Sequence, residues 1–202
     1  IRDHPVSPAL RQDLDDFSDE LLHISMIFER LLAIAEVEAG ALRRQFEPVS
    51  LRNLLTEAQE LYEPLIEDEG GCLTLDVQGD PVCRGDPNLL ASAVSNLIEN
   101  ALKHGRAGQA PLQLALWARC AHDPKRGPGV WLAVSDQGPG VPPDALARLS
   151  QRFFRANASA PGLGLGLASV QAIVQLHMGQ LCFDNTTPGF RVSLWLPGAQ
   201  PT

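Results

Sequence analysis

The sequence predicts an α/β fold: a two-layer α/β sandwich on a mixed, mostly antiparallel sheet, preceded by one long heptad helix. Three observations carry this. Alternating apolar residues such as Leu73-Leu75-Val77 and Phe190-Val192-Leu194-Leu196 recur beyond residue 46 with the period of two of half-buried strands. Between these runs lie stretches with helical apolar spacing, opened by capping residues such as Ser50 and Asp86. Ahead of both, Leu10, Leu14, Phe17, Leu21, Ile24, Phe28, Leu31 and Ala35 alternate spacings of four and three, which is the a/d seam of a coiled coil.

The elements follow in order. The heptad helix spans Pro8 to Ala39, with charged residues between the seam positions and Gly40 as its C-terminal cap. Such a seam must be buried, either on the rest of the chain or in a bundle or dimer, and the sustained repeat favours the second. Phe46-Glu47-Pro48-Val49 reads as a short strand or linker, and Ser50 caps a helix running to about Asp68, before Gly70-Gly71. A strand through 73–77 and a short one at 82–85 lead to Asp86, the N-cap of the next helix. Strands at 112–120 and 130–136 are joined by the turn-rich HDPKRGPG. A polar, glycine-bearing loop precedes a helix near 166–178 and strands near 180–185 and 190–196. Hairpin connections make the sheet mostly antiparallel. Two domains result, 1–45 and 46–202.

Composition narrows the function. The 202 residues are 45% hydrophobic and 20% charged, with a net charge of −8, an ordinary globular balance that lacks the basic patches nucleic acid requires. No apolar run is long enough to span a membrane, and no signal peptide is visible. Cys72, Cys83, Cys120 and Cys182 lack metal-like spacing and fall mostly in strand-like stretches. They are expected to be reduced core thiols, which places the chain in the cytosol.

Four stretches carry chemistry. In NLIENALKHG, 96–105, the residues Asn96, Glu99, Asn100, Lys103 and His104 line one face of a helix, while Leu90, Val94, Leu97, Ile98 and Ala101 supply a separate packing face. The polar row is either solvated or holds something. SDQGPG, 135–140, sets the Asp136 carboxylate at a strand end before Gly138 and Gly140, where a backbone can come close to a ligand; alone, it is equally a turn. PGLGLGLASV, 161–170, places Gly162, Gly164 and Gly166 before a helix, where freed amides could meet an anion; alone, it is equally a hinge or a packing device. Between them RFFRAN, 152–157, holds Phe153, Phe154 and Arg155.

In this order, the four stretches resemble the ATP-binding catalytic domain of sensor histidine kinases, within the superfamily that includes type II topoisomerase, mismatch-repair and heat-shock chaperone ATPases. NLIENALKH resembles the N box, DQGPG the first glycine box, RFFR the phenylalanine box, and GLGLGLASVQAIV the second glycine box. TPGFRVSLWLP is similar to the closing strand. The likeness covers about 46–197, and LLAIAEVEAG upstream is similar to the end of the second helix of the dimerisation hairpin. The resemblance implies a histidine-kinase-type ATPase fold and Mg-ATP as ligand. Asn100 would ligate Mg²⁺ and Asn96 would order its water shell or the phosphates. Glu99 would take the proton of the incoming histidine, or orient it. Lys103, His104 and Arg155 would reach phosphate, and Asp136 would accept from the adenine amine. Gly138, Gly140 and Phe154 would border the nucleotide, and Gly162, Gly164, Gly166 and Leu167 would form the lid hinge and its backbone donors. The implied partners are a response-regulator receiver domain and a second copy through the helical hairpin, in a parent anchored in the bacterial inner membrane with this part in the cytosol.

The sequence departs from the family in two ways. Ala156 to Pro161 is short and carries no Lys or Arg, and Leu163 replaces a small hydroxyl residue. No phosphoacceptor box is present: His4 precedes Pro5-Val6-Ser7-Pro8, and His23 lacks a flanking acid. His122 and His177 read as structural. The expectation is a chain that begins inside the hairpin loop, binds ATP and has no acceptor helix of its own. The alternatives are a catalytically weak nucleotide-binding or regulator-docking module and an ATP-hydrolysing relative.

Overall fold

The computed structural model describes residues 46–124, 126–151, 153–155 and 164–199, which belong to the unit Gln45–Thr202. The heptad helix, Gly40, His4, His23 and Gly162 lie outside the described residues.

The order is β1 (Glu47–Ser50), α1 (Leu51–Asp68), β2 (Cys72–Gln78), β3 (Val82–Gly85), α2 (Pro87–His104), β4 (Gln113–Asp123), β5 (Gly127–Asp136), a short α3 (Pro143–Leu146), α4 (Gly166–Leu176), β6 (Gln180–Asn185) and β7 (Phe190–Pro197). β1 and β3 form an antiparallel ribbon. The other five strands form one sheet in the order β2-β4-β5-β7-β6. β2 pairs with β4 in parallel, and the remaining three pairs are antiparallel. The predicted sandwich and its mixed sheet are therefore present.

Local chemistry sets the helix starts. Ser50 accepts from the Asn53 N–H at the head of α1. Asp86 accepts from the Asn88 and Leu89 N–H groups at the head of α2, with Pro87 at the first helical position. The core fills the space between helices and sheet. Leu51, Leu54, Leu55 and Ile66 of α1, the predicted packing stripe of α2, and Val170, Ile173 and Val174 of α4 are buried against Leu114, Leu116, Leu132, Val134, Val192 and Leu194.

Four expectations shift. β4 runs to Asp123 and β5 begins at Gly127, so the antiparallel ladder extends well into the supposed turn and His122 belongs to a strand. The loop after β5 contains α3, which Pro143 opens. In β7 the alternation is incomplete. Phe190, Val192, Leu194 and Leu196 face the helices as expected, but Ser193 and Trp195 on the other face are buried too. The Arg126 guanidinium lies 5.5 Å from the Trp195 ring and helps to cover it. All four cysteines are free thiols, but only Cys83 is fully buried, and Cys72 and Cys120 near strand ends are exposed. Burial pushes the Cys83 thiol up to about 12, so it is an inert core group. No helix among the described residues is long and apolar enough to cross a membrane.

Candidate functional site

α2 presents two faces. Its apolar stripe is buried, which leaves Asn96 and Asn100 half-buried and Glu99, Lys103 and His104 exposed along the other side. Lys103 Nζ lies 3.7 Å from Glu99 Oε2, an i, i+4 pair with both side chains half-exposed. Such a pair contributes only about 0.3–0.5 kcal/mol, so either partner can turn to a ligand at little cost.

The end of α2 abuts the loop after β5. The Asp136 carboxylate accepts from the Gly138 N–H at 2.8 Å, closing a tight turn. A Cβ at Gly105, the residue capping α2, would come within 2.7 Å of Asp136 Cβ, and one at Gly138 within 2.7 Å of the Gly105 backbone. The two glycines therefore serve to press strand end and helix end together. Burial raises the Asp136 pKa above the ordinary carboxylate value, opposed by hydrogen bonds from the Gly138 and Phe190 backbone and by the nearby His104. His104 moves the other way. Partial burial lowers its pKa, Lys103 and Arg155 push it down further, and Asp136 opposes them.

The other two stretches join the same region. The Phe153 N–H donates to the Gly164 carbonyl at 3.2 Å. Gly164 has φ +69°, and a Cβ there would come within 2.7 Å of the Phe154 carbonyl oxygen, so only glycine fits. Phe153 itself adopts φ +61° and is exposed. Phe154 packs against the core, with the Arg148 guanidinium 4.3 Å over its ring. α4 starts at Gly166 with no side-chain cap, so its first-turn amides, including that of Leu167, are open to an anion. The Leu167 side chain packs on the core. A Cβ on Gly166 would stand 3.7 Å from Asn96 Oδ1, which brings the polar row of α2 beside that helix start.

The fold thus gathers Asn96, Gly164 and Gly166 at one place and His104, Asp136, Gly138 and Arg155 at the next, with Glu99, Asn100 and Lys103 on the same face of α2 between them. Among the predicted site residues only Gly162 lies outside the described residues. Gly140 is needed for a reason the sequence reading missed. It has φ +74°, and a Cβ there would come within 2.8 Å of Asn185 Oδ1. Asn185 itself was also missed; the available signal was a polar residue ending the inward stripe Leu181, Phe183, Asn185 of β6.

His177 is structural, as expected. It is 2% exposed and stacks on Phe46 with ring centroids 4.5 Å apart. Its Nε2 accepts from the Asp86 N–H at 3.0 Å, so the proton sits on Nδ1, which donates to the Ile173 carbonyl at 2.8 Å.

Residues 85–200 match the family described as histidine kinase-, DNA gyrase B- and HSP90-like ATPases. The chain is 32% identical over 184 residues to the sensor protein kinase PmrB of Pseudomonas aeruginosa, covering 88% of this chain and 36% of that protein. It is 30% identical over 199 residues to the signal transduction histidine-protein kinase AfsQ2 of Streptomyces coelicolor, covering 96% of this chain and 34% of that one. Among solved structures, a mycobacterial sensor histidine kinase, MprB, superposes with a TM-score of 0.60 at 31% identity, covering 77% of this chain and 99% of that one. The chain spans about a third of the length of the curated relatives it matches.

Proposed function

Because the chain belongs to the histidine kinase-, DNA gyrase B- and HSP90-like ATPase family, we propose that it is the ATP-binding catalytic part of a sensor histidine kinase, transferring the γ-phosphoryl of Mg-ATP to a histidine. The observation that supports this most is the convergence of four separate sequence stretches. The polar face of α2, the Asp136–Gly140 turn, Phe153–Arg155 and the uncapped start of α4 meet around one region.

The roles follow from the chemistry of each group. Asp136 accepts a hydrogen bond from the adenine amine, which requires its carboxylate ionised. The amides of Gly166 and Leu167, with Lys103, His104 and Arg155, neutralise phosphate charge. A carboxamide oxygen on Asn100, with the carboxylate of Glu99 and the amide of Asn96 nearby, suits a hard cation that takes few protein oxygens and keeps water and phosphate as its other ligands. Asn100 would hold Mg²⁺, which when bound supplies charge neutralisation at the phosphates. In transfer, the bond between the γ-phosphorus and the β–γ bridging oxygen breaks, a bond from phosphorus to an imidazole nitrogen forms, and that ring's proton passes to Glu99. ADP leaves.

The acceptor histidine is assigned to a dimerisation helix outside this chain. Residues 1–45 are read as the loop and second helix of that hairpin, and 46–202 as the catalytic domain. The parent then works as a homodimer on the cytoplasmic side of the inner membrane and passes phosphate to a receiver-domain aspartate. One feature favours a weaker kinase or a docking module instead: Ala156 to Pro161 offers no cation to the phosphates.

The deciding experiment is calorimetric titration of Mg-ATP into the chain and into Asp136→Ala, followed by phosphotransfer to an added acceptor hairpin. Saturable binding that the variant loses, with transfer to the hairpin, is the expected result. Binding without transfer would favour the docking module, and no binding by the unaltered chain would overturn the kinase reading.

A further inference from the structure

At the end of the sheet, Asp136 of β5, Phe190 of β7 and Asn185 of β6 are register neighbours in one row. Their strands' alternation puts all three on the face that carries the helices. From this position the Asn185 amide reaches the loop after β5 and pairs with both backbone groups of Val141. Asn185 Oδ1 accepts from the Val141 N–H at 2.8 Å, and Asn185 Nδ2 donates to the Val141 carbonyl at 2.7 Å. The pairing fixes the amide's orientation, since only the oxygen can face an N–H and only the NH₂ a carbonyl. It also explains Gly140, whose missing Cβ leaves the space that Asn185 Oδ1 takes.

The turn that follows Asn185 is packed just as closely on Asp136. Thr186 N–H donates to the Gly189 carbonyl at 2.9 Å, and a Cβ at Gly189 would overlap the Asp136 carbonyl oxygen. The loop 137–141 is therefore held at two places. At its start Gly138 is locked between Asp136 and Gly105. At its far end Asn185 is its only side-chain anchor among the described hydrogen bonds.

We infer that Asn185 is a positioning residue for the adenine-contacting loop: its two-sided amide pairing with Val141 fixes residues 137–141 relative to Asp136, and so sets affinity and selectivity for the base. This rests on the nucleotide-binding reading above. Asn185 is exposed and at a strand end, so removing its amide leaves the core intact.

The test uses Asn185→Ala and the isosteric Asn185→Asp, the latter keeping the acceptor but setting an oxygen against the Val141 carbonyl. Adenosine serves as an uncharged probe of the base pocket, beside ATP and GTP. The expected result is a Kd for adenosine and ATP raised about five- to tenfold in both variants, from two lost hydrogen bonds in Asn185→Ala and from one lost bond plus an oxygen–oxygen repulsion in Asn185→Asp, with a smaller change for GTP. The Val141 amide should exchange faster with solvent in Asn185→Ala, with melting temperatures close to that of the unaltered chain. An Asp variant that binds adenosine and ATP like the unaltered chain would overturn the inference, as would unchanged Val141 exchange in the Ala variant. An unaltered chain that binds neither ATP nor adenosine would overturn the nucleotide reading and this inference with it; binding by the unaltered chain with indifferent variants would overturn the inference alone.

Discussion

α2 and α4 pack side by side in opposite directions, and the two ends of the pair are built on opposite rules. At one end Asp86 and His177 are matched from within. Asp86 caps α2, its own N–H donates to His177 at the end of α4, and His177 is closed over by Phe46. At the other end α4 begins with no cap, Asn96 stands beside it, and His104 and Asp136 are both held away from their ordinary protonation behaviour. The same two helices thus use one helix start for stability, with an aspartate of the chain as the anion, and leave the other open to an anion from outside. A buried group without a partner costs stability, and at this open end the polar row Glu99, Lys103 and His104 stays near solvent.

The largest effect that would test this contrast is expected at the matched end. His177→Ala removes two buried hydrogen bonds and a stacked ring, and should destabilise the domain by about 3–4 kcal/mol. Chemical denaturation measures it, and a loss below about 1 kcal/mol would mean that this end is not a clamp. Asn100→Ala, at the open end, should do the reverse: it should abolish Mg²⁺-dependent ATP binding while changing stability by less than about 0.5 kcal/mol. Titration with and without Mg²⁺ separates the two, and normal Mg-ATP affinity would remove the metal role.

Asp136 should show the cost of an open site directly. Its pKa is raised in the folded state, so its contribution to stability is full below the unfolded value of about 3.9 and is lost as pH rises through the folded value. Asp136→Asn escapes that loss. It should therefore melt slightly higher than the unaltered chain at pH 7, lose this advantage near pH 3, and bind ATP poorly throughout. Equal melting temperatures at pH 7 would show that burial is not straining the carboxylate. For His104, NMR titration should give a midpoint below the ordinary 6.5 or so, moving up when ATP is added; an unshifted midpoint in the free chain would contradict its partial burial and its crowding by Lys103 and Arg155. The smallest change belongs to Glu99→Gln. Losing a half-exposed pair with Lys103 should alter stability by less than about 0.5 kcal/mol, while phosphotransfer to an added hairpin slows; an unchanged rate would mean the proton goes elsewhere.

Most of the open end was legible in the chain. A polar row at helical spacing beside a complete apolar stripe cannot be core, so α2 had to expose Asn96, Glu99, Asn100, Lys103 and His104. The capping roles of Ser50 and Asp86 were legible for the same local reason: a short side-chain acceptor serves amides only two or three residues ahead. The role of Asn185 was not legible, because its partner lies 44 residues earlier in the chain; a polar residue closing the inward stripe of β6 marks the position without naming what it touches. That Gly105 and Asn185 take up the space which the missing side chains of Gly138 and Gly140 leave was likewise not legible, since both contacts join separate segments.

The sequence by itself determined the element order, the helix starts, the inward stripes and the four stretches that carry chemistry. Each of these depends on period and on neighbours within one turn or one strand, which a linear chain states openly. Only the tertiary structure decided which glycines are contact points, that both faces of β7 are buried, that His177 closes one end of the helix pair, and that Asn185 braces the loop from across two strands. These depend on distances between segments far apart in sequence, set by strand order and register once the sheet is assembled.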